Sequence, residues 1–497
     1  MSDGMSLLKQ LAGETAIYGL SSILSRLINW VVLTPYFTRI FRQGEYGVVN
    51  DLYTWIALLL VLFTYRMETA FFRYGRQKED LERAYSTAAL SLIVTTLLFG
   101  ALLLGFAEPI AQLLAYPEHP EYVRWFIAIV AADALTAIPF ARLRLENRPM
   151  RFALIKALSI GINLVFLFFL LEGCPRLIAA GVSWPSIFYN SDNRILYVFV
   201  ANFLASATTL LILLPLFRKL RFGPGFFDAA LLRRMVIYAL PLVVSGLARV
   251  INSLIGIPML RFLADDAAAG IYSAAAKLAV LMNLFTQAFN YAAEPFFFRH
   301  ADRQDAKVMY AQVAQVFAMV GSVVFLGIML YLDVIQYFLG KDFREGLGIL
   351  PILLIANLLL GLYYSVSIWF KLSDNTRIGG YIALGGSLIT LLINYFLIPL
   401  PQVGYYAPAW AALACYGTML VACYWLGQRY FPIAYPAGRI LGYIAVAILL
   451  YALSVLAKNQ WTEVGAGIYL FNTLLLVLYI AFLFRTERVF FRQIWRS

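Results

Sequence analysis

The chain has 497 residues, of which 62% are hydrophobic and only 13% charged, and carries a formal net charge of +12. A soluble domain has roughly 25% charged residues, so this composition excludes a soluble globular protein. Apolar stretches of around 20 residues recur to the end, which excludes a transmembrane barrel with its alternating segments of about ten. The expectation is an all-α integral membrane protein with almost no soluble domain.

In chain order, the apolar runs and their breakers predict fourteen spans: 13–35, 47–70, 84–106, 122–145, 151–172, 195–217, 235–258, 268–293, 308–332, 346–370, 378–399, 404–427, 437–457 and 462–484. The opening MSDGMSLLKQLAGE lacks the pattern of a removable signal peptide, so the first span is the expected insertion signal. Connections after even-numbered spans are basic. Together with Lys9 and the tail arginines Arg485, Arg488, Arg492 and Arg496 they hold 25 of the 39 Lys and Arg residues, against eight in the odd connections. By the positive-inside rule both termini are cytoplasmic, and most of the net charge is a consequence of topology rather than a sign of nucleic acid. The four tail arginines are spaced as one helical face, predicting a basic interfacial helix. The longest stretch on the other side, Glu172 to Arg194, reads as a loop with a short interfacial turn.

The first span returns later in the chain. Ser22–Pro35 and Ser245–Pro258 align without a gap at an offset of 223 residues, with six of fourteen positions identical: Ser22/Ser245, Leu24/Leu247, Arg26/Arg249, Ile28/Ile251, Asn29/Asn252 and Pro35/Pro258. Gly47 pairs with Gly270 at the same offset, and Glu68–Arg73 with Glu294–Arg299 three residues further on. Six spans, an even number, separate the copies, so the repeats are expected to be parallel. The predicted organisation is an N-lobe at 1–217, a cytoplasmic linker at 218–234, a C-lobe at 235–428, two extra helices at 429–484 and the basic tail at 485–497.

Arg26 and Arg249 lie roughly 20 Å into spans about 30 Å thick, too deep to snorkel comfortably. Ser22, Arg26 and Asn29 share one face by i, i+4, i+7 spacing, as do Ser245, Arg249 and Asn252. A guanidinium flanked by hydroxyl and amide groups matches phosphate oxygens, so a central site for a phosphorylated anion is predicted. The other reading has each arginine bridging a buried acid or capping carbonyls. Lys277 adds a third cation to the cavity or pairs with Asp133. Arg66, Glu68 and Glu294, near the cytoplasmic ends of the second and eighth spans, read as helix-end brackets or a gate, and Lys156 is near enough to its helix start to snorkel. Asp51 and Asp133 are the intramembrane acids to weigh for proton or cation coupling, against a role as ion-pair partners. Cys174, Cys415 and Cys423 are too scattered for a disulfide framework, and His119 and His300 make no metal spacing. No P-loop, metal cluster or external catalytic domain is present in the sequence, so no cofactor and no enzyme activity are expected.

Fourteen spans, two parallel six-helix repeats and cations in spans 1 and 7 resemble the polysaccharide flippases of the multidrug/oligosaccharidyl-lipid/polysaccharide exporter superfamily. The local marks are Tyr18-Gly-Leu-Ser-Ser-Ile-Leu-Ser-Arg26, Tyr36-Phe-Thr-Arg39 with Glu45-Tyr-Gly47, and Asn394-Tyr-Phe-Leu-Ile-Pro399 with Gly404. Where the family usually continues with a glycine-alanine pair, this chain has Tyr405-Tyr-Ala-Pro408. The resemblance implies translocation of an undecaprenyl-pyrophosphate-linked oligosaccharide across a bacterial inner membrane, for lipopolysaccharide, capsule or exopolysaccharide, by alternating access. It implies that Arg26 and Arg249 hold the pyrophosphate while the polyprenyl tail stays in lipid. The implied partners are the lipid-linked substrate, membrane lipids and polysaccharide assembly proteins, with no nucleic acid. The alternatives are a multidrug exporter or a peptidoglycan-precursor flippase of the same superfamily.

Overall fold

The computed structural model describes residues 27–28, 30–76, 78–218, 220, 227–301, 303–373, 375–460 and 466–488. These residues are almost entirely helical and include no strand. Thirteen helices or helix runs are long and apolar enough to cross a membrane, and each corresponds to one of the expected spans from the second to the fourteenth. The first expected span lies largely outside the described residues; its described end is helical at 30–40, called α1.

The helices that follow are α2 (Gln43–Thr64), α3 (Met67–Tyr74), α4 (Lys78–Gly105), α5 (Ala107–Leu113), α6 (Pro120–Leu145), α7 (Pro149–Phe168), α8 (Cys174–Ala179), α9 (Arg194–Phe217) and α10 (Ala229–Leu254). The second half contains α11 (Gly256–Leu263), α12 (Asp266–Arg299), α13 (Ala306–Leu330), α14 (Leu332–Ile335), α15 (Leu350–Val366), α16 (Ile368–Leu372), α17 (Thr376–Leu397), α18 (Ala407–Tyr430), α19 (Ala437–Gln460) and α20 (Ala466–Thr486). Their starts follow local chemistry. Proline opens α6 and α7, where its missing N–H costs nothing. Asn193 and Asp265 cap α9 and α12, their side chains accepting from the backbone N–H of Leu196 and Ala268.

The expected second span is broken. Tyr65 (φ 31°) and Arg66 (φ 55°) take left-handed conformations and separate α2 from α3. Such a conformation costs a non-glycine residue roughly 1–2 kcal/mol, so the surrounding packing must hold it. Part of that packing is the hydrogen bond of Tyr65 Oη to Ser91 Oγ on α4, at 2.6 Å.

By contacts the chain divides into two units. Glu45–Val250 belongs to the first, and Thr34–Gly44 with the residues from Ile251 onward to the second. Within the first unit α6 packs on α4 and α9, and α7 on α9; within the second α15 packs on α13 and α18, and α17 on α18. These pairs follow one another in the same order in the two units. The first core gathers around Leu52, Phe71, Tyr85, Val123, Phe126 and Phe199. The described part of α19 and α20 seals onto α13 through buried polar groups: Asn472 Nδ2 donates to the Leu330 carbonyl at 2.6 Å, and Ser454 Oγ to Asn472 Oδ1 at 2.7 Å.

The assignment of Thr34–Gly44 to the second unit has a steric basis. Thr38 Oγ1 accepts from the Gly340 N–H at 3.0 Å, and Arg39 Nη2 donates to the Tyr337 carbonyl at 2.8 Å. A Cβ on Gly340 would stand 1.9 Å from the Thr38 carbonyl oxygen, so only glycine admits this approach.

Candidate functional site

Ser22, Arg26 and Asn29, the first copy of the predicted anion face, lie outside the described residues. In the second copy the three residues separate. Asn252 is 7% exposed. It packs into the second unit, its Nδ2 donating to the Ala383 carbonyl at 3.3 Å and its own carbonyl accepting from Tyr416 Oη at 3.3 Å. Ser245 donates to the Pro241 carbonyl one turn back, at 3.1 Å. Arg249 is exposed on the surface of α10.

The break after α2 brings a second arginine to that helix. A Cβ on Gly246 would lie 2.7 Å from Arg66 Nη2 and 2.8 Å from Nε, so the guanidinium of Arg66 comes up against α10 where glycine leaves room. Gly246 is three residues before Arg249, and i, i+3 positions are neighbours on a helix surface. Arg66 Nη1 is also 3.6 Å from Glu68 Oε1. Sequence spacing marked Arg66 as a bracket or gate. Its approach to α10 depends on a left-handed turn at non-glycine residues, for which the sequence carries no signal.

Asp51 is fully buried in α2, where Oδ2 accepts from Tyr116 Oη at 2.7 Å. Asp133 lies at the middle of α6, hydrogen-bonded to the Ser206 side chain of α9 and within the field of Lys156 on α7. The ammonium of Lys156 lies 4.2 Å from the Phe140 ring centroid, towards the end of α6 that leads into α7. In the second unit Lys277 is half-buried in α12, and Glu294 Oε1 accepts from Lys371 Nζ at 2.7 Å, both side chains well exposed.

One cluster is not among the predicted site residues. Arg142, only 2% exposed, is held by Glu82 of α4 and by Glu146 one turn on (Nε to Oε1, 2.7 Å), with its guanidinium 4.3 Å from the Tyr85 ring centroid. The i, i+4 spacing of Arg142 and Glu146 was visible in the sequence; the contribution of Glu82, 60 residues away, was not. Among the described residues no group of three His, Cys, Asp or Glu side chains could hold a metal ion.

A family model described as "Polysaccharide biosynthesis protein" matches residues 11–301. No curated protein matches the chain in sequence. Among solved structures, "Lipid II flippase MurJ, inward closed conformation" is similar with a TM-score of 0.72 at 14% identity, covering 94% of this chain and 99% of that one. An inward-facing multidrug resistance MATE family transporter of the MOP superfamily gives 0.63 at 13% identity, covering 84% and 94%. An outward-facing one gives 0.57 at 13% identity over the same shares. At such identities the likeness establishes the fold: a multi-helix membrane transporter fold, and not that of a soluble enzyme.

Proposed function

The chain belongs to the polysaccharide biosynthesis protein family, and on that premise we propose that it is a flippase for undecaprenyl-pyrophosphate-linked oligosaccharide. In this reading it sits in a bacterial inner membrane with both termini cytoplasmic and serves lipopolysaccharide, capsule or exopolysaccharide assembly. The observation that carries the reading is the placement of Arg66 over Gly246, within one helical turn of Arg249. Two guanidinium groups on one stretch of α10 offer paired forks to the oxygens of a pyrophosphate. In the first unit Ser245, one turn before Arg249 on α10, adds a hydroxyl to the pair. Asn252 is occupied in packing and is left out of the set. Charge of this sign argues against organic cations as cargo. The solved structure of similar fold is a lipid II flippase, and the glycan used in the assay separates a peptidoglycan-precursor reading from this one.

The test uses vesicles containing the purified protein and a lipid-linked oligosaccharide labelled on the inner side, with exposure to an external glycosidase as the readout. Fast exposure that collapses in Arg26→Ala with Arg249→Ala and falls in Arg66→Ala, with folding intact, supports the reading. Equal rates in wild type and variants would reduce the arginines to structural contacts, and exposure confined to a peptidoglycan precursor would redirect the substrate assignment.

A further inference from the structure

Within the second unit we propose that the 3-10 helix Lys341–Ile349, the tyrosine pair Tyr405 and Tyr406, and Gln43 form a subsite for a neutral sugar ring. This rests on the flippase reading above and adds a place that holds the glycan itself. In that reading the connections before spans 10 and 12 face the side opposite the basic connections, where translocated glycan emerges.

A 3-10 helix of nine residues is uncommonly long, because its side chains at i and i+3 eclipse and its hydrogen bonds are poorly aligned. Here the period of three sorts the residues into faces. Phe343, Gly346 and Ile349 are buried and seat the helix on α12. Asp342, Glu345 and Gly348 are all exposed and form a row on another face. At a rise of about 2.0 Å per residue that row is about 12 Å long. Three side chains of the same unit close on it. Gln43, which belongs to this unit, donates through Nε2 to the Asp342 carbonyl at 2.6 Å and to Glu345 Oε1. Tyr405 Oη donates to the Glu345 carbonyl at 3.4 Å. A Cβ on Gly348 would stand 2.0 Å from Tyr406 Oη, so that hydroxyl takes the space glycine leaves. The two tyrosine rings are stacked with centroids 5.1 Å apart, and both remain half-buried. Gly404, with φ 46°, makes the left-handed turn that leads into them.

A pyranose ring presents a face of C–H bonds and a rim of hydroxyls, each both donor and acceptor. The stacked tyrosines supply a flat surface for the face, with few rotatable bonds to freeze. The carboxylates of Asp342 and Glu345 accept from the rim, and such charge-assisted bonds are roughly twice as strong as neutral ones. Gln43 is already held by the row, so little side-chain freedom is lost when a ligand arrives. Charge narrows the ligand class. Lys341, Asp342, Arg344 and Glu345 give the 3-10 helix two charges of each sign. Arg344 is engaged with the Tyr337 ring, 4.6 Å from its centroid, and with the Leu339 carbonyl at 3.3 Å. A phosphate would meet the two carboxylates of the row, an organic cation would meet Lys341 and Arg344 beside them, and like charge opposes each. A polyprenyl chain would strand the carboxylates against hydrocarbon. A neutral ring rich in hydroxyls meets none of these penalties. Tyrosines that only anchor a protein at the membrane interface keep their polar tips at the headgroup level, whereas here both hydroxyls lie on the 3-10 helix.

The experiment is saturation-transfer NMR on the protein in nanodiscs of phosphatidylethanolamine and phosphatidylglycerol, with empty discs as the blank. The probes are free glucose, galactose, mannose, rhamnose and N-acetylglucosamine, with tetramethylammonium as a competitor. Wild type should saturate the ring C–H protons of at least one sugar. Tyr405→Ala with Tyr406→Ala should weaken that sugar's binding by about tenfold. Tyr405→Phe with Tyr406→Phe keeps the rings and should keep most of the binding, and Glu345→Gln, at an exposed position, should weaken it severalfold. Thermal unfolding checks that each variant is folded; if the alanine pair is not, Glu345→Gln decides. No sugar signal above empty discs, equal binding by wild type and the alanine pair, undiminished binding by Glu345→Gln, or displacement of the sugar by tetramethylammonium overturns the proposal. Binding is read without any lipid carrier. A protein that binds sugar through these residues but exposes no glycan in the vesicle assay therefore counts against the flippase reading and leaves the subsite standing.

Discussion

The two units pack several of their helices in corresponding pairs, yet they carry different chemistry at the middle of α6 and of α15. In the first unit that position is Asp133; 224 residues later (357 − 133) α15 carries Asn357, one step from the 223-residue offset of the arginine helices. Asn357 is 8% exposed and its Nδ2 donates to the Ala279 carbonyl of α12 at 3.5 Å. An amide can tie two helices together, but it cannot change charge. The second helix differs too: α2 and α3 are divided by left-handed Tyr65 and Arg66, whereas α12 runs unbroken over 34 residues. The helix pairing is shared, while the polar groups between the helices differ.

The sharpest way to break this comparison is at the charged ends of the helices. Arg142→Ala leaves Glu146 and Glu82 facing a half-buried pocket without their cation, and removal of one partner from a buried pair costs about 3–5 kcal/mol. Lys371→Ala removes an exposed partner of Glu294 in the second unit and should cost no more than about 1 kcal/mol. Unfolding titrations in mixed micelles measure both, and equal losses would mean that the two ends are built alike after all.

Next in size are two glycines. Gly340→Ala forces a methyl against the Thr38 carbonyl oxygen at 1.9 Å and should destabilise by about 1–3 kcal/mol, releasing Thr34–Gly44 from the second unit. Gly100 in α4 has nothing within 4 Å of a new Cβ, so Gly100→Ala should stabilise by up to about 1 kcal/mol through helix propensity. Thermal unfolding of the two variants in the same detergent gives the contrast, and a loss at Gly100 would contradict it.

The smallest effect is local and depends on pH. Asp228 starts α10 by accepting from the N–H of Leu231 at 3.0 Å and Ala230 at 2.9 Å, with Arg83 at 2.5 Å; these helix donors first, and Arg83 second, hold its pKa below the ordinary carboxylate value. Asp305, before α13, is lowered chiefly by Arg303, and its side chain caps no helix N–H. A carboxyl with a depressed folded pKa contributes stability above its unfolded pKa and loses it as the pH falls through the folded one. On acidification below the usual carboxylate range, amide hydrogen exchange should therefore rise at Ala230 and Leu231, with no comparable rise at the start of α13. The same response at both helix starts would remove the distinction.

The spans from the second to the fourteenth were legible in the sequence because apolar runs of membrane length are local signals. Glu294, expected near the end of the eighth span, is found there, paired with Lys371. What escaped reading depends on distant contacts. Thr38 meets Gly340 across 302 residues, Arg66 reaches α10 only through an unusual backbone turn, and Lys156 rests on Phe140 because α7 folds back along α6. Neither the amino-acid types nor their spacing could select those partners over others. Asn252 illustrates the limit in reverse: its spacing places it on the Arg249 face, but the helix surface there is already turned into packing.

The claim that cations on α10 grip a pyrophosphate is tested most directly by binding. Native mass spectrometry of the protein in lipid, offered an undecaprenyl-pyrophosphate glycan and the monophosphate lipid bearing the same glycan, should show the pyrophosphate form bound at least about tenfold more tightly, equivalent to about 1.4 kcal/mol. That preference should disappear in Arg249→Ala with Arg66→Ala. Equal retention of the two lipids by wild type, or an undiminished preference in the double variant, would contradict it.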